Sequence, residues 1–163
     1  ADITYIRIKT CFIFLAAILD IFNRKVVGWS LSKRINTRLC LEALKMAIEE
    51  RKPKGGLIHH SDRGIQYAST EYIETLKESG IEISMSRKGN CWDNAVMERF
   101  FGSLKTERTD DVHYATKEEA KADIVEFIAF YNSQRLHSTL NYMSPAEYEK
   151  AYASRIMVTQ TVH

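Results

Sequence analysis

Asp2, Asp62, Glu98 and Lys105 are the residues whose types and spacing could do chemistry. Asp62 stands in the string HHSDRG, just past the carboxyl end of an expected short strand, where open α/β sheets usually place functional groups. A lone aspartate at such a place can also do no more than cap a turn. Asp2 opens the first expected strand and lies beside Asp62 if the first and fourth strands are neighbours. Projecting residues 93–106 at about 100° per residue separates an apolar face, Val96, Met97, Phe100, Phe101 and Leu104, from a polar one, Asn94, Glu98, Gly102 and Lys105. The polar face reads either as a solvated surface or as one that presents a carboxylate, an ammonium two turns away and a glycine that lets another backbone approach. Two aspartates and a glutamate delivered by separate elements make an oxygen-ligand set suited to magnesium or manganese.

Positioning these residues takes an α/β domain. Ile3 to Ile8, Cys11 to Asp20 and Val26 to Leu31 are rich in Ile, Val, Phe and Tyr, and the links between them are too short for a crossover helix. They are therefore expected to pair as an antiparallel meander, with the second strand, apolar on both faces, at its centre. Leu39/Cys40, Ala43/Leu44 and Ala47/Ile48 recur every four residues after Asn36, as an amphipathic helix requires, and Pro53 with Gly55-Gly56 ends it. Leu57 to His60 reads as a buried strand parallel to the third. A helix capped by Ser69 and stopped by Gly80 follows, then a fifth short strand from Ile81 to Ser84. Ser86 to Trp92 reads as a mobile basic loop. Thr116 and Glu119 form a capping box for a long helix with the stripe Ala120, Ile124, Phe127, Ile128 and Tyr131. Ser144-Pro145 starts a short final helix, and residues 154–163 read as a loose tail.

Composition removes several function classes. The chain has 163 residues, 45% apolar and 27% charged, which fits one globular domain and excludes a disordered or fibrous chain. No stretch approaches the roughly 18 consecutive apolar residues of a membrane span. Lys and Arg exceed Asp and Glu by 23 to 21, too little to announce a nucleic-acid partner, so any basic surface must be local. Cys11, Cys40 and Cys91 lack the paired spacing of a structural zinc site and suit a reducing cytoplasm. The opening residues, ADITYIR, show no secretion signal and read as the interior of a longer chain.

ADITYI, LDIFNRKVVGW, HHSDRGIQYAS, SMSRKGNCWDNAVMERFFGSLKTE and YNSQRLHSTLNYMSPAEYE together resemble the DDE transposases of bacterial insertion sequences, of the OrfB type, relatives of retroviral integrases. Between Asp62 and Glu98 lie 35 residues, a spacing typical of that superfamily. The resemblance implies a ribonuclease H-like fold with a five-stranded mixed sheet, the antiparallel meander then parallel strands, and helices on both faces. It implies that residues 1–150 are the catalytic core and 151–163 a C-terminal tail. It implies Asp2, Asp62 and Glu98 as catalytic and metal-binding acids, Mg2+ or Mn2+ as cofactor with two ions in the active complex, and Lys105 as the basic residue seven positions after the glutamate. The partners implied are transposon-end and target DNA and further copies of the chain, in a bacterial cytoplasm and associated with the nucleoid. Asn23, Ile65 and Asn141 depart from the family's common residues, and Asn141 can still take a left-handed turn.

Arg87, Lys88, Asn94, Arg99 and Lys105 flank the acids and suit phosphate contacts better than base reading. His59 and His60 are poor candidates for a joint metal site, because alternation along a strand sends them to opposite faces. Tyr67 and Trp92 could stack on an unpaired base or pack in the interior. Two other functions compete with a DNA transposase: a non-catalytic DNA-binding or assembly domain, and a ribonuclease H-like nuclease acting on RNA hybrids or junctions.

Overall fold

A computed structural model describes residues 1–86 and 95–160, with side chains through residue 155. Its elements run β1 (Asp2–Arg7), β2 (Phe12–Leu19), β3 (Val26–Ser32), α1 (Thr37–Arg51), β4 (Ile58–Ser61), α2 (Thr70–Glu78), β5 (Glu82–Met85), α3 (Ala95–Leu104), a π-helical turn (Lys105–Thr109), α4 (Lys117–Ser133), a short 3-10 turn (Ser138–Leu140) and α5 (Pro145–Gln160).

The first three strands form the expected antiparallel meander in the order β1-β2-β3, with Asp2 opposite Ala17 and Phe14 opposite Ser32. Strand β2 is central because both its faces are apolar. Ile13, Leu15, Ala17 and Leu19 point into a core shared with Phe100, Leu104, Ile124 and Phe127 of α3 and α4. Ala16 and Ile18 point the other way, against Leu39, Ala43 and Leu44 of α1 and Tyr72 and Leu76 of α2. Period-2 alternation thus feeds two hydrophobic layers, and helices cover both faces of the meander. Gly28 lets α1 approach β3 closely, since a Cβ there would stand 2.1 Å from the Ala43 carbonyl oxygen.

Strands β4 and β5 form a separate parallel pair, in register from Ile58 with Glu82 to Ser61 with Met85. The two sheets touch where the Ala1 nitrogen donates to the His60 carbonyl oxygen at 2.7 Å. The architecture is therefore α/β with strands grouped three and two, in place of one continuous five-stranded ladder, and the hydrogen-bonded neighbour of β4 is β5. The expectation of a buried fourth strand also needs correction. Ile58 is 61% exposed while His59 and Ser61 are buried, so the strand is covered on one side only.

Local sequence accounts for the helix ends. Asn36 caps α1 by accepting from Leu39 N at 3.0 Å, and Thr116 caps α4 by accepting from Glu119 N at 3.1 Å, each worth about 1 kcal/mol. Glu119 returns the bond to the amide of Ala115, one residue before the cap. Ser69 precedes α2 but turns its hydroxyl back to the Gln66 carbonyl, so its cap is positional only. Asn141 takes the left-handed conformation, φ 55°, ψ 41°.

Two expectations about helix ends are overturned. The final helix is 16 residues long and runs through Gln160, so residues 154–160 are helical and form no loose tail. Helix α3 stops at Leu104, where the backbone passes into the π-helical turn, so the helical projection does not extend regularly through Lys105. The expected basic loop from Ser86 to Trp92, and with it Arg87, Lys88, Cys91, Trp92 and Asn94, falls almost entirely outside the described residues.

Candidate active site

Each proposed acid is delivered by a different element. Asp2 lies at the start of β1, on the face that carries the buried Thr4 and Ile6, and Ile6 packs in the same layer as Phe100 of α3. Its Oδ1 accepts from the amide of Ile3 at 2.7 Å. Asp62 follows β4 and is exposed, and its Oδ1 accepts from Gly64 N at 2.9 Å. It does cap a turn, but that bond engages one carboxylate oxygen. A Cβ at Gly64 would stand 2.3 Å from Gln66 Nε2 and 3.0 Å from Asp62 Oδ1, so a larger residue would have to displace the Gln66 side chain. Glu98 is exposed on the first turns of α3, whose Met97, Phe100, Phe101 and Leu104 face the core.

Asp2 is within electrostatic reach of both Asp62 and Glu98. Burial raises the pKa of the Asp2 carboxyl above its ordinary value, and the charges of Asp62 and Glu98 add to that, while the bond from the Ile3 amide opposes it. The three acids do not form a closed cage. Among the described residues no group of three His, Cys, Asp or Glu side chains stands close enough to hold an ion.

The basic residues go to two different places. Lys105 Nζ lies over the Tyr5 ring, 4.2 Å from its centroid, so its helix face does not alone decide what it overlooks. Arg99 is exposed and acts on Tyr131 together with Arg135 and Arg24; burial pushes the Tyr131 hydroxyl up to about 12 and the three cations pull against that shift. Arg135 itself pairs with Glu107 and reaches Ser103 Oγ at 3.2 Å. The sequence reading missed Arg24 and Arg135, which no helical or strand periodicity connects to α3. Arg87, Lys88 and Asn94 lie outside the described residues.

The remaining candidates are resolved by burial. His59 and His60 do diverge. His59 is buried and hydrogen-bonded through Nε2 to the Tyr72 hydroxyl at 3.0 Å, with a pKa lowered to about 3, chiefly by burial. Tyr67 is 1% exposed, which removes it as a stacking platform. Cys40 is buried beside it, its thiol pushed up to about 12, so it is an inert core side chain. A cavity of about 560 Å³ lies between the end of β2, the end of α1 and β4; Ile18, Leu44, Ala47 and Ile58 line it, and of the three acids none does.

A three-stranded meander flanked by helices, a parallel strand pair and acids at β1, after β4 and on α3 define a ribonuclease H-like domain. The catalytic core of the HTLV-2 integrase, solved in complex with magnesium, superposes with TM-score 0.69 at 17% identity, covering 90% of this chain and 91% of that one. The catalytic core of the BIV integrase gives 0.64 at 16% identity over 94% and 95%. Family models described as the integrase core domain match residues 1–91 and 79–145, and the chain belongs to that family. It is 45% identical over 150 residues to the transposase for insertion sequence element IS904 of Lactococcus lactis, covering 91% of this chain and 59% of that protein. It is 41% identical over 149 residues to transposase InsF for insertion sequence IS3A of Escherichia coli K12, covering 91% and 52%. The chain thus spans little more than half the length of these relatives.

Proposed function

We propose that this chain is the catalytic core of a bacterial insertion-sequence DDE transposase, a polynucleotidyl transferase that cleaves transposon ends and joins them to target DNA. The observation that carries the reading is membership of the integrase core family in a chain 45% identical to a transposase, with Asp2, Asp62 and Glu98 delivered by three separate elements. Asp2, Asp62 and Glu98 are the catalytic acids and would hold two Mg2+ or Mn2+ ions. The donor chemistry fits, although the carboxylates would have to draw closer to share the ions: three carboxylates offer hard oxygen ligands, and a divalent cation would relieve the repulsion that adds to the raised Asp2 pKa. Bound there, such ions would stabilise charge on the attacking and leaving oxygens of an in-line phosphoryl transfer.

The chain's own groups set the stage for that reaction. The bond from Gly64 N holds one Asp62 oxygen and so orients the carboxylate. Helix α3 carries Glu98 on a rigid element anchored by Phe100 and Leu104. Lys105, Arg99, Arg87, Lys88 and Asn94 would contact phosphates of the DNA. In the active form the five strands would join as one sheet, β1 standing beside β4, with residues 1–150 as the core and 151–163 as an appendage. Several copies would assemble on DNA at the nucleoid, in the cytoplasm; among the described residues no helix is long and apolar enough to cross a membrane.

Asp62→Asn and Glu98→Gln in the whole protein test this reading. Each is expected to keep the melting temperature and to abolish magnesium-dependent strand transfer, because an amide removes an anionic ligand. Near-normal transfer by either variant would eliminate the acid assignment.

A further inference from the structure

His60 stands two residues before Asp62, and both its ring nitrogens are engaged. Nδ1 is 2.9 Å from the Ser84 hydroxyl and Nε2 is 3.0 Å from the Ser86 hydroxyl. Ser86 in turn donates its hydroxyl to the Ser61 carbonyl at 3.4 Å and its amide to the same oxygen at 3.0 Å. One proton order satisfies this chain in the neutral ring. The Ser86 hydroxyl proton goes to Ser61, so the Ser86 oxygen accepts from Nε2–H, and Nδ1 accepts from the Ser84 hydroxyl. The His60 carbonyl meanwhile accepts from the Ala1 nitrogen, next to Asp2.

We propose that His60 is a positioning residue for the acid site, a role that rests on the transposase reading above. Strands β4 and β5 are four residues each, and a two-stranded sheet of that size is marginal by itself. The imidazole cross-links them at Ser84 and binds Ser86, just past the end of β5. Through its carbonyl the same residue fastens the start of β1. The ring therefore fixes β4 against β5, and with it the strand end before Asp62 and the carbonyl that fastens the start of β1 beside Asp2, without touching DNA itself. This explains a polar half-buried ring in a strand whose other neighbours are a buried histidine and a buried serine.

The test uses the whole protein for kinetics and this chain for spectroscopy. Imidazole nitrogen NMR should show the Nε2–H tautomer for His60. His60→Ala should lower kcat for strand transfer and manganese affinity by at least about tenfold with little change in KM for DNA, while the melting temperature falls modestly from the loss of two hydrogen bonds. His60→Gln, which can keep the donor to Ser86, should recover part of the loss. Ser86→Ala combined with His60→Ala should be no worse than His60→Ala alone, because both break one linkage. An Nδ1–H tautomer, additive losses, or His60→Ala matching the wild type in kcat and manganese affinity would each overturn the proposal. Asp62→Asn serves as the separating control: full transfer by that variant would sink the acid assignment, whereas a dead Asp62→Asn beside a normal His60→Ala would sink only the positioning role.

Discussion

Lys105 Nζ sits 4.2 Å above the centre of the Tyr5 ring, which joins the turn after α3 to the exposed side of β1. Tyr5 is 56% exposed and also meets Phe12 edge-on, so the ammonium rests on an accessible aromatic surface. An exposed cation–π contact is worth about 0.5–1 kcal/mol, small enough for the lysine to leave for a phosphate. A double-mutant cycle of Lys105→Ala and Tyr5→Ala should give a coupling of that size in urea unfolding. Lys105→Ala should also lower the slope of log affinity against log salt for DNA by about one. An unchanged slope would make Lys105 a structural residue only.

Gly28 is fixed by packing, with no demand from its φ angle. A methyl group there would meet Ala43 O at 2.1 Å and Ala47 Cβ at 2.9 Å, and neither neighbour is a flexible chain end. Gly28→Ala should therefore push α1 off β3 and cost about 2–3 kcal/mol, read as a lowered urea midpoint. Gly102 is the opposite case, with nothing within 4 Å of a built Cβ, so Gly102→Ala should leave stability unchanged or raise it slightly.

Burial gives the fold a defined acid sensitivity. His59 is held neutral with a pKa lowered to about 3 from 6.5, so as pH falls below 6.5 the unfolded chain takes up the proton first. Stability is thus lost from pH 6.5 down to about 3, by at most about 1.4 kcal/mol per pH unit from this group. His59→Gln should flatten the difference in unfolding free energy between about pH 7 and about pH 4.5. An unchanged difference would show that His59 is not what couples the fold to protons.

Asp2 acts with the opposite sign. Its pKa is raised from 3.8 by burial and then by Asp62 and Glu98, so the folded chain holds this proton more tightly and stability falls as pH rises through the window above 3.8. Asp2→Asn is expected to raise the melting temperature of the metal-free chain near neutral pH while removing metal binding. A lower melting temperature would mean that the carboxylate is a structural partner.

Much of this was legible in the residues. The meander follows from short links and two-faced apolar alternation in β2, and the layer under α4 follows from the stripe Ala120 to Tyr131, all of it buried. The places of Asp2, Asp62 and Glu98, a strand start, the turn after a strand and an exposed helix face, were legible in the same way, and their role as catalytic acids is the proposal. What failed depends on information that periodicity does not hold. Ile58 is exposed because no element among the described residues covers that side of β4, and the first turns of α5 pack on Phe22 through Tyr148 and Tyr152, contacts distant in sequence that no local pattern reports. The turn into π geometry at Lys105 broke a projection that assumes an ideal helix. The bonds of His60 to Ser84 and Ser86 join residues 24 and 26 positions away, which no local pattern reports.

The proposal that Asp2, Asp62 and Glu98 share one divalent-ion site is tested most directly by paramagnetic broadening of amide signals with Mn2+ bound. Broadening centred on Asp2, on Asp62 and on the first turn of α3 is expected, weakened in Asp62→Asn and in Glu98→Gln with no change of fold. Broadening centred elsewhere, or undiminished in both variants, would contradict the account.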